Sequence, residues 1–252
     1  MKSLKFRSIV LLISLAFFLL IGREGMAATL PAIDLNIRPA DTPDQVVDSV
    51  KLLILLTMLS MIPAMLVMLT SFTRIVIVLS LMRTAIGTPM IPNNQIIIGL
   101  ALFLTVFIMA PTFQQVNENA LQPYLNNEIS QEEAQDIAAG HLKGFMLRQT
   151  RESDLGLFIN LSRIERPERP EDVPLHVVIP AFIISELKTA FEIGFLIFVP
   201  FLVIDMVVAS ILMAMGMFML PPIMIALPFK ILLFIMVDGW SLVVRSLVES
   251  FR

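Results

Sequence analysis

FEIGFLIFVPFLVIDMVVASILMAMGMFMLPPIMIALPFKILLFIM, residues 191–236, is apolar almost throughout and decides the fold of this chain. It lies within a nearly continuous apolar run from Ala181 to Leu247, interrupted by Pro200, by the pair Pro221–Pro222 and by Pro228. Proline cannot continue a helix without loss of a hydrogen bond, so the run predicts two helices folded back on each other as a hairpin.

Composition places the whole chain with membrane proteins. The 252 residues are 57% hydrophobic, and the mean hydropathy is +0.85, well above that of a soluble domain. The absence of cysteine excludes disulfides and thiolate metal sites, and the two histidines, His141 and His176, lack ligand spacing. No phosphate-binding loop, dinucleotide fingerprint or nucleophile elbow is present. We therefore expect neither an enzyme nor a cofactor.

The N-terminus predicts a cleavable secretory signal over residues 1–27. Lys2, Lys5 and Arg7 precede an apolar run from residue 9 to 21, and small residues follow at Gly25, Ala27 and Ala28. The alternative is an uncleaved first membrane helix, although the run is shorter than the ~20 residues of a span. Removal of residues 1–27 leaves 14 basic and 20 acidic residues, a charge of −6 that argues against nucleic acid as a partner.

Residues 28–42 then form a short extracytoplasmic segment and residues 43–111 a first helical hairpin. Thr42 with Gln45 makes a capping box before an apolar block from residue 52 to 69, in which Pro63 predicts a kink. The second block, residues 96–110, follows a linker whose only charges are Arg74 and Arg83. The positive-inside rule assigns that linker to the cytoplasm.

Residues 112–173 are predicted to form a small helical subdomain on the periplasmic side. They carry 11 acidic and 6 basic residues. Ser130 with Glu133 makes a second capping box, and a further helix is expected after Ser153. The charged, proline-rich connector RIERPERPEDVP, residues 163–174, favours a solvated linker over a binding motif.

Residues 174–252, the second hairpin, contain charges that cannot face lipid together, because each costs roughly 2.5–3.5 kcal/mol at the bilayer centre. Lys188 and Glu192 are four residues apart and can pair along one helix. Asp205 and Lys230 lie on opposite arms and can pair across the hairpin. Structural ion pairs are favoured over a proton relay, because no carboxylate cluster recurs along one face. The candidate residues are Glu186, Lys188, Glu192, Asp205, Lys230 and Asp238.

Between the arms stand the methionines at 213, 215, 217 and 219, with Phe218 among them. Thioether side chains are flexible and apolar. Ordinary packing in a bundle interior explains the four methionines equally well as a functional role does. Cu(I) also suits thioethers, but a copper path would be expected to add cysteine or histidine. No metal is therefore expected.

Two long segments resemble the FliP proteins, the core subunits of the flagellar type III export gate: PAFIISELKTAFEIGF, residues 180–195, and PFKILLFIMVDGW, residues 228–240. The resemblance runs from about residue 43 to the C-terminus. Virulence secretion systems have related subunits that usually lack a cleaved signal, so the signal favours the flagellar branch. Proline-broken helices and buried charges would also suit a secondary transporter, and a purely structural membrane subunit is the third alternative.

The resemblance implies an all-α membrane protein of long kinked helical hairpins, of which several copies, understood to be five, assemble into a helical ring or funnel. FliQ and FliR subunits complete the gate, FlhB and FlhA are further partners, and unfolded flagellar proteins pass through. It implies that Met213, Met215, Met217, Met219 and Phe218 line the narrowest point as a gasket. The implied location is the bacterial inner membrane at the flagellar basal body, in contact with lipids and partly periplasmic.

Overall fold

A computed structural model describes residues 50–251 except 51, 58, 62–66, 89, 165–166 and 218. The chain divides into two compact units, residues 1–55 and 56–252. In the first unit only residues 50 and 52–55 are described, and they are helical. The predicted signal peptide, the segment 28–42, the capping box at Thr42 and the kink at Pro63 lie outside the described residues.

The second unit is built from helices and, within its described part, contains no strand. Helix α1, Phe72–Ile86, ends at Gly87, whose φ of 86° is left-handed and whose N–H donates to the Thr84 carbonyl. Helix α2 begins at Asn94 because the Asn93 side chain accepts a hydrogen bond from the Ile96 N–H at 2.9 Å. Arg83 donates to the Asn94 side chain at 2.7 Å and closes the α1–α2 turn.

Helix α2 runs without a break from Asn94 to Leu125, with a π-helical turn at Asn117–Leu121. It therefore continues well past residue 110, where the apolar block ends, and passes through Pro111. The polar side chains beyond that point are mostly exposed on the helix surface. Their polarity marks a change of environment along one helix and not the end of the helix.

The polar segment forms two further helices. Helix α3, Gln131–Gln149, begins at Ser130, whose hydroxyl accepts a hydrogen bond from the Glu133 N–H at 3.2 Å, as the capping box predicts. Helix α4, Glu152–Ser162, begins two residues earlier than expected. Both helices pack against α5 inside the second unit.

The last third of the chain forms three helices. Helix α5, Leu175–Ala214, is continuous through Pro180 and Pro200, and its 40 residues measure about 60 Å. Helix α6, Pro222–Met236, returns along α5. Helix α7, Gly239–Glu249, follows after a 64° bend. The expected hairpin is present, but its first arm is unbroken at Pro200 and its second arm is bent.

Two apolar clusters hold these helices together. One joins α1 to α2, α5, α6 and α7 through residues such as Leu79, Ala190 and Leu247. The other joins α3 to α2 and α5 through Phe145, Phe182 and their neighbours. Helices α1 and α5 approach closely at Gly194, where a Cβ atom would lie 2.3 Å from Leu81 Cδ1.

The predicted linker between residues 69 and 96 is largely helix α1, and this part of the sequence interpretation was wrong. Arg74 is 2% exposed in the core of the unit. A buried arginine bound to a carboxylate carries little weight in the positive-inside rule, which counts charges in loops. Of the two arginines on which the cytoplasmic assignment of this segment rests, only Arg83 still supports it.

Within the described residues, two helices are long and apolar enough to cross a membrane, α2 and α5. Helices α6 and α7 would add a third if the bent pair were one span. Hydropathy alone suggested four blocks. Helix α5, at about 60 Å, is twice as long as the ~30 Å thickness of a hydrocarbon core, so a crossing would use only part of it.

Candidate functional site

The methionine segment forms the turn at the tip of the α5–α6 hairpin. Gly216 has a φ of 73°, its N–H donates to the Met213 carbonyl, and the Met217 N–H donates to the Leu212 carbonyl, both at 3.0 Å. These two bonds are the Schellman motif, which ends a helix with glycine in the left-handed conformation. Helix α6 then begins at Pro222, a favoured residue for the first helical position.

All four methionines are exposed, from 37% at Met217 to 96% at Met219. They do not fill the interior of this chain, so the packing interpretation fails for the isolated subunit. Phe218 lies outside the described residues. The arrangement presents an uncovered apolar tip, and flexible thioethers exposed together are suited to packing against another surface.

Replacement of Gly216 by alanine is expected to destabilise the tip by about 1–2 kcal/mol, the cost of a left-handed backbone in a residue with a Cβ. No atom lies within 4 Å of a Cβ built there, so backbone strain is the only cost. The matched control is Gly140→Ala, also in open space but inside helix α3, which is expected to stabilise. Thermal unfolding in detergent measures both; equal effects would contradict the left-handed turn.

Lys230 of α6 ties the tip hairpin to the rest of the unit. Its Nζ donates to Asp205 Oδ2 of α5 at 2.6 Å, the pairing expected across the hairpin, and to the Ala85 carbonyl of α1 at 3.3 Å. Lys230 is 4% exposed. The other Asp205 oxygen, Oδ1, is buried without a hydrogen-bond partner. The Lys230 ammonium therefore holds three helices together, about ten residues along α5 before the methionine turn.

A second buried pair lies nearer the start of α5. Arg74 Nε donates to Glu186 Oε2 at 2.9 Å and Nη2 to Glu186 Oε1, with the two side chains 2% and 0% exposed. Nη1 donates to the Ser250 carbonyl at 2.7 Å and to the Ser250 hydroxyl at 3.0 Å, and Nη2 also donates to Gln149 Oε1 at 3.1 Å. All five guanidinium donors are thus used.

The Arg74 guanidinium also lies 3.8 Å from the centre of the Phe251 ring. That ring stacks on Phe145 of α3, with a centroid distance of 6.4 Å, and the Phe251 carbonyl accepts a hydrogen bond from Gln149 Nε2 at 3.1 Å. Arg74 therefore joins α1, α3, α5 and the segment after α7. The planar guanidinium suits this position because its five N–H groups donate in its plane while its face lies over the Phe251 ring. A lysine ammonium could not make both kinds of contact.

Helix α4 is fastened to α5 by polar contacts along one helical face. Asp154, 1% exposed, accepts hydrogen bonds from the Ser185 hydroxyl at 2.8 Å and from Lys188 Nζ. The Arg151 guanidinium donates to both carboxylate oxygens of Glu192, at 2.9 and 2.6 Å. Hydrogen bonding from Lys188 lowers the pKa of Asp154 although burial opposes it, and the bond to Glu192 raises the pKa of Arg151.

The expected pairing of Lys188 with Glu192 is wrong, because each finds a partner more than thirty residues away, in Asp154 and Arg151. Geometry favours these contacts since α4 lies across the face of α5 that carries both side chains. Asp238, expected in a structural ion pair, is exposed and has no side-chain partner among the described residues. Its backbone takes a left-handed φ of 50° at the α6–α7 bend.

Acid is expected to loosen helix α4. The folded-state pKa of Asp154 is lowered, so its contribution to stability is present above the unfolded value and is lost as pH falls through the folded one. The melting temperature of Asp154→Asn should therefore lie below that of the wild type at pH 7, and the difference should shrink below about pH 4. Glu152→Gln, an exposed carboxylate in the same turn, should show no such difference. A difference unchanged at low pH would contradict the ion pair.

Arg74, Asp154, Arg151 and Gln149 were not recognised as site residues from the sequence. The sequence did contain a signal for the Arg74–Glu186 pair. Glu186 lies in an apolar stretch and needs a cation, and Arg74 is a single positive charge within another apolar stretch. In the described part of the chain, no group of three or more His, Cys, Asp or Glu side chains could hold a metal ion.

The fold and its apolar tip define an all-α protein with helices suited to a membrane. A sequence profile of the FliP family matches residues 55–247. The flagellar biosynthetic protein FliP of Bacillus subtilis is 58% identical over 217 residues, covering 86% of this chain and 98% of that protein. The Aquifex aeolicus FliP is 51% identical over 236 residues, covering 93% and 97%. The chain belongs to the FliP family.

Proposed function

We propose that this chain is a membrane subunit of flagellar protein export, in the bacterial inner membrane, and that several copies close a channel around the methionine tip. The relatives at 58% and 51% identity bear the name flagellar biosynthetic protein. The observation that supports the channel is the exposure of Met213, Met215, Met217 and Met219 at the end of a hairpin.

Physical chemistry favours a gasket at this position. A ring of thioethers excludes water and ions when closed, because a narrow apolar constriction dewets. The same unbranched side chains can repack around an unfolded chain of any sequence. The helices behind the tip are fastened by Lys230 to Asp205 and to α1, which gives the loop a firm support while its side chains move.

We propose the remaining assignments on the resemblance to the FliP proteins. The chain forms a ring of about five copies with FliQ and FliR subunits, works beside FlhB and FlhA, and passes unfolded flagellar proteins. Helix α3, whose exposed surface is mostly polar, and helix α4, which is fastened to the same face of α5, face the periplasm. No residue performs catalysis, and the buried ion pairs Arg74–Glu186 and Asp205–Lys230 fix helix positions.

Native mass spectrometry of the detergent-extracted protein tests this proposal, first with the chain alone and then with FliQ and FliR subunits co-expressed. A closed ring that takes up further small membrane subunits is the expected result. Alanine replacement of the four methionines should then increase ion leak through the membrane without change in ring yield. A stable monomer or dimer that recruits no further subunit would contradict the ring and would favour the alternative of a secondary transporter.

A further inference from the structure

The methionines of the tip differ from those of the core in exposure. Met82, Met109 and Met146 lie in the two apolar clusters and are at most 1% exposed. The four tip methionines, between residues 213 and 219, are 37–96% exposed, and none of them belongs to either cluster. A chemical change at the tip sulfurs would therefore alter the surface of the hairpin and leave intact the core that holds the helices together.

Exposed thioethers react with peroxides. Hydrogen peroxide transfers one oxygen atom to the sulfur: its O–O bond breaks, an S–O bond forms, and the departing hydroxide takes up the remaining proton and leaves as water. The sulfur loses two electrons, which reduce the peroxide. The product, methionine sulfoxide, is polar, whereas the thioether is apolar. A tip that carries sulfoxides is therefore no longer an apolar surface.

We propose that the tip methionines are a reversible oxidation site through which peroxide opens the gate to water and ions. The proposal rests on the function proposed above, in which the thioethers of several copies close a narrow constriction. Such a constriction excludes water only while its lining is apolar. Sulfoxide oxygens accept hydrogen bonds from water, so the oxidised constriction fills with water and conducts ions.

The geometry of the turn leaves its sulfurs accessible. Met219 is 96% exposed, and a Cβ built on Gly216 would meet no atom within 4 Å, so the space around the turn is open. Tips that converge on a channel face its lumen. Hydrogen peroxide is close to water in size and reaches them from the water-filled parts of the channel on either side of the constriction.

The test uses the full chain purified with FliQ and FliR subunits and reconstituted in liposomes, with potassium efflux as the measure of ion leak. Hydrogen peroxide is expected to raise the leak about tenfold. Peptide mass spectrometry should find sulfoxide at the tip methionines and not at Met82, Met109 or Met146. Both methionine sulfoxide reductases, with a dithiol as reductant, should return the leak to its starting value.

A leucine variant makes the response specific to the tip. Replacement of all four tip methionines by leucine keeps apolar side chains of similar volume that peroxide does not oxidise, so the leak of this variant should not change on treatment. The matched control, Met90→Leu with Met236→Leu, removes two methionines that lie outside the turn and are 78% and 75% exposed. It should respond to peroxide as the wild type does.

Sulfoxide at the tip without an increase in leak would overturn the proposal, as would tip methionines that remain unoxidised. An equal increase in the leucine variant would do the same, because the sensitive residue would then lie elsewhere. Failure of the proposed function gives a different result: the untreated variant with alanine at the four positions would not leak. If that alanine variant leaks and the oxidised wild type does not, only the oxidation site is wrong.

Discussion

Replacement of Arg74 by methionine is expected to lower the free energy of unfolding by about 3–5 kcal/mol, the cost of leaving one partner of a buried ion pair uncompensated. Glu186 is 0% exposed, and no other cation reaches it in the described part of the chain. Because a domain has only about 5–15 kcal/mol of stability, this loss removes a large part of its stability, and both the melting temperature and the yield should fall. The measurement is the yield and melting temperature of monodisperse protein in detergent.

Two further variants make the Arg74 result specific. Arg148→Met changes an exposed arginine on α3 and should alter neither yield nor melting temperature. Arg74→Met combined with Glu186→Leu removes both charges and should recover much of the lost stability, since apolar packing often replaces a buried pair at little cost. If Arg74→Met behaves like Arg148→Met, the structural role of this pair is wrong.

Replacement of Lys230 by methionine is expected to cost about 2–3 kcal/mol, because the Asp205 carboxylate loses its donor and its Oδ1 is already buried without one. The figure is smaller than for Arg74, since the Asp205 side chain is 31% exposed to solvent. The tip of the hairpin would lose its link to α1 as well. We therefore expect reduced assembly, measured as the yield of the purified oligomer.

The control for Lys230 is Lys143→Met, which removes an ammonium that binds a backbone carbonyl, that of Glu171. It should leave assembly unchanged. The double variant Asp205→Asn with Lys230→Met removes the unpaired charge and should restore part of the yield. Normal yield of the complex in Lys230→Met together with lost export would show that the pair acts in transport and not in structure.

The sequence predicted features that depend on local pattern. The hairpin followed from an apolar run interrupted by prolines, and the α3 cap from Ser130 and Glu133. The contact of Asp205 with Lys230 could be anticipated because two opposite charges on opposite arms of a hairpin have few other partners.

Features that depend on distant segments could not be predicted in this way. Glu186 meets Arg74 across 112 positions, and Asp154 meets Lys188 across 34. The spacing of Lys188 and Glu192 suggested a local pair, but the docking of α4 on that face supplied closer partners. The exposure of the methionines also depends on where the helix ends, which Gly216 decides through its left-handed backbone.

The most direct test of the central claim uses the absence of cysteine from the chain. Met219→Cys places one thiol on the most exposed of the described residues of the tip, and Glu132→Cys places one on the exposed surface of α3. Membranes are treated with a short bis-maleimide and resolved in denaturing gels. Because each copy then carries one thiol and can be linked only once, a ring with converging tips predicts a cross-linked dimer band for Met219→Cys and only monomer for Glu132→Cys. A monomer band alone for Met219→Cys would contradict a channel closed by the methionine turn.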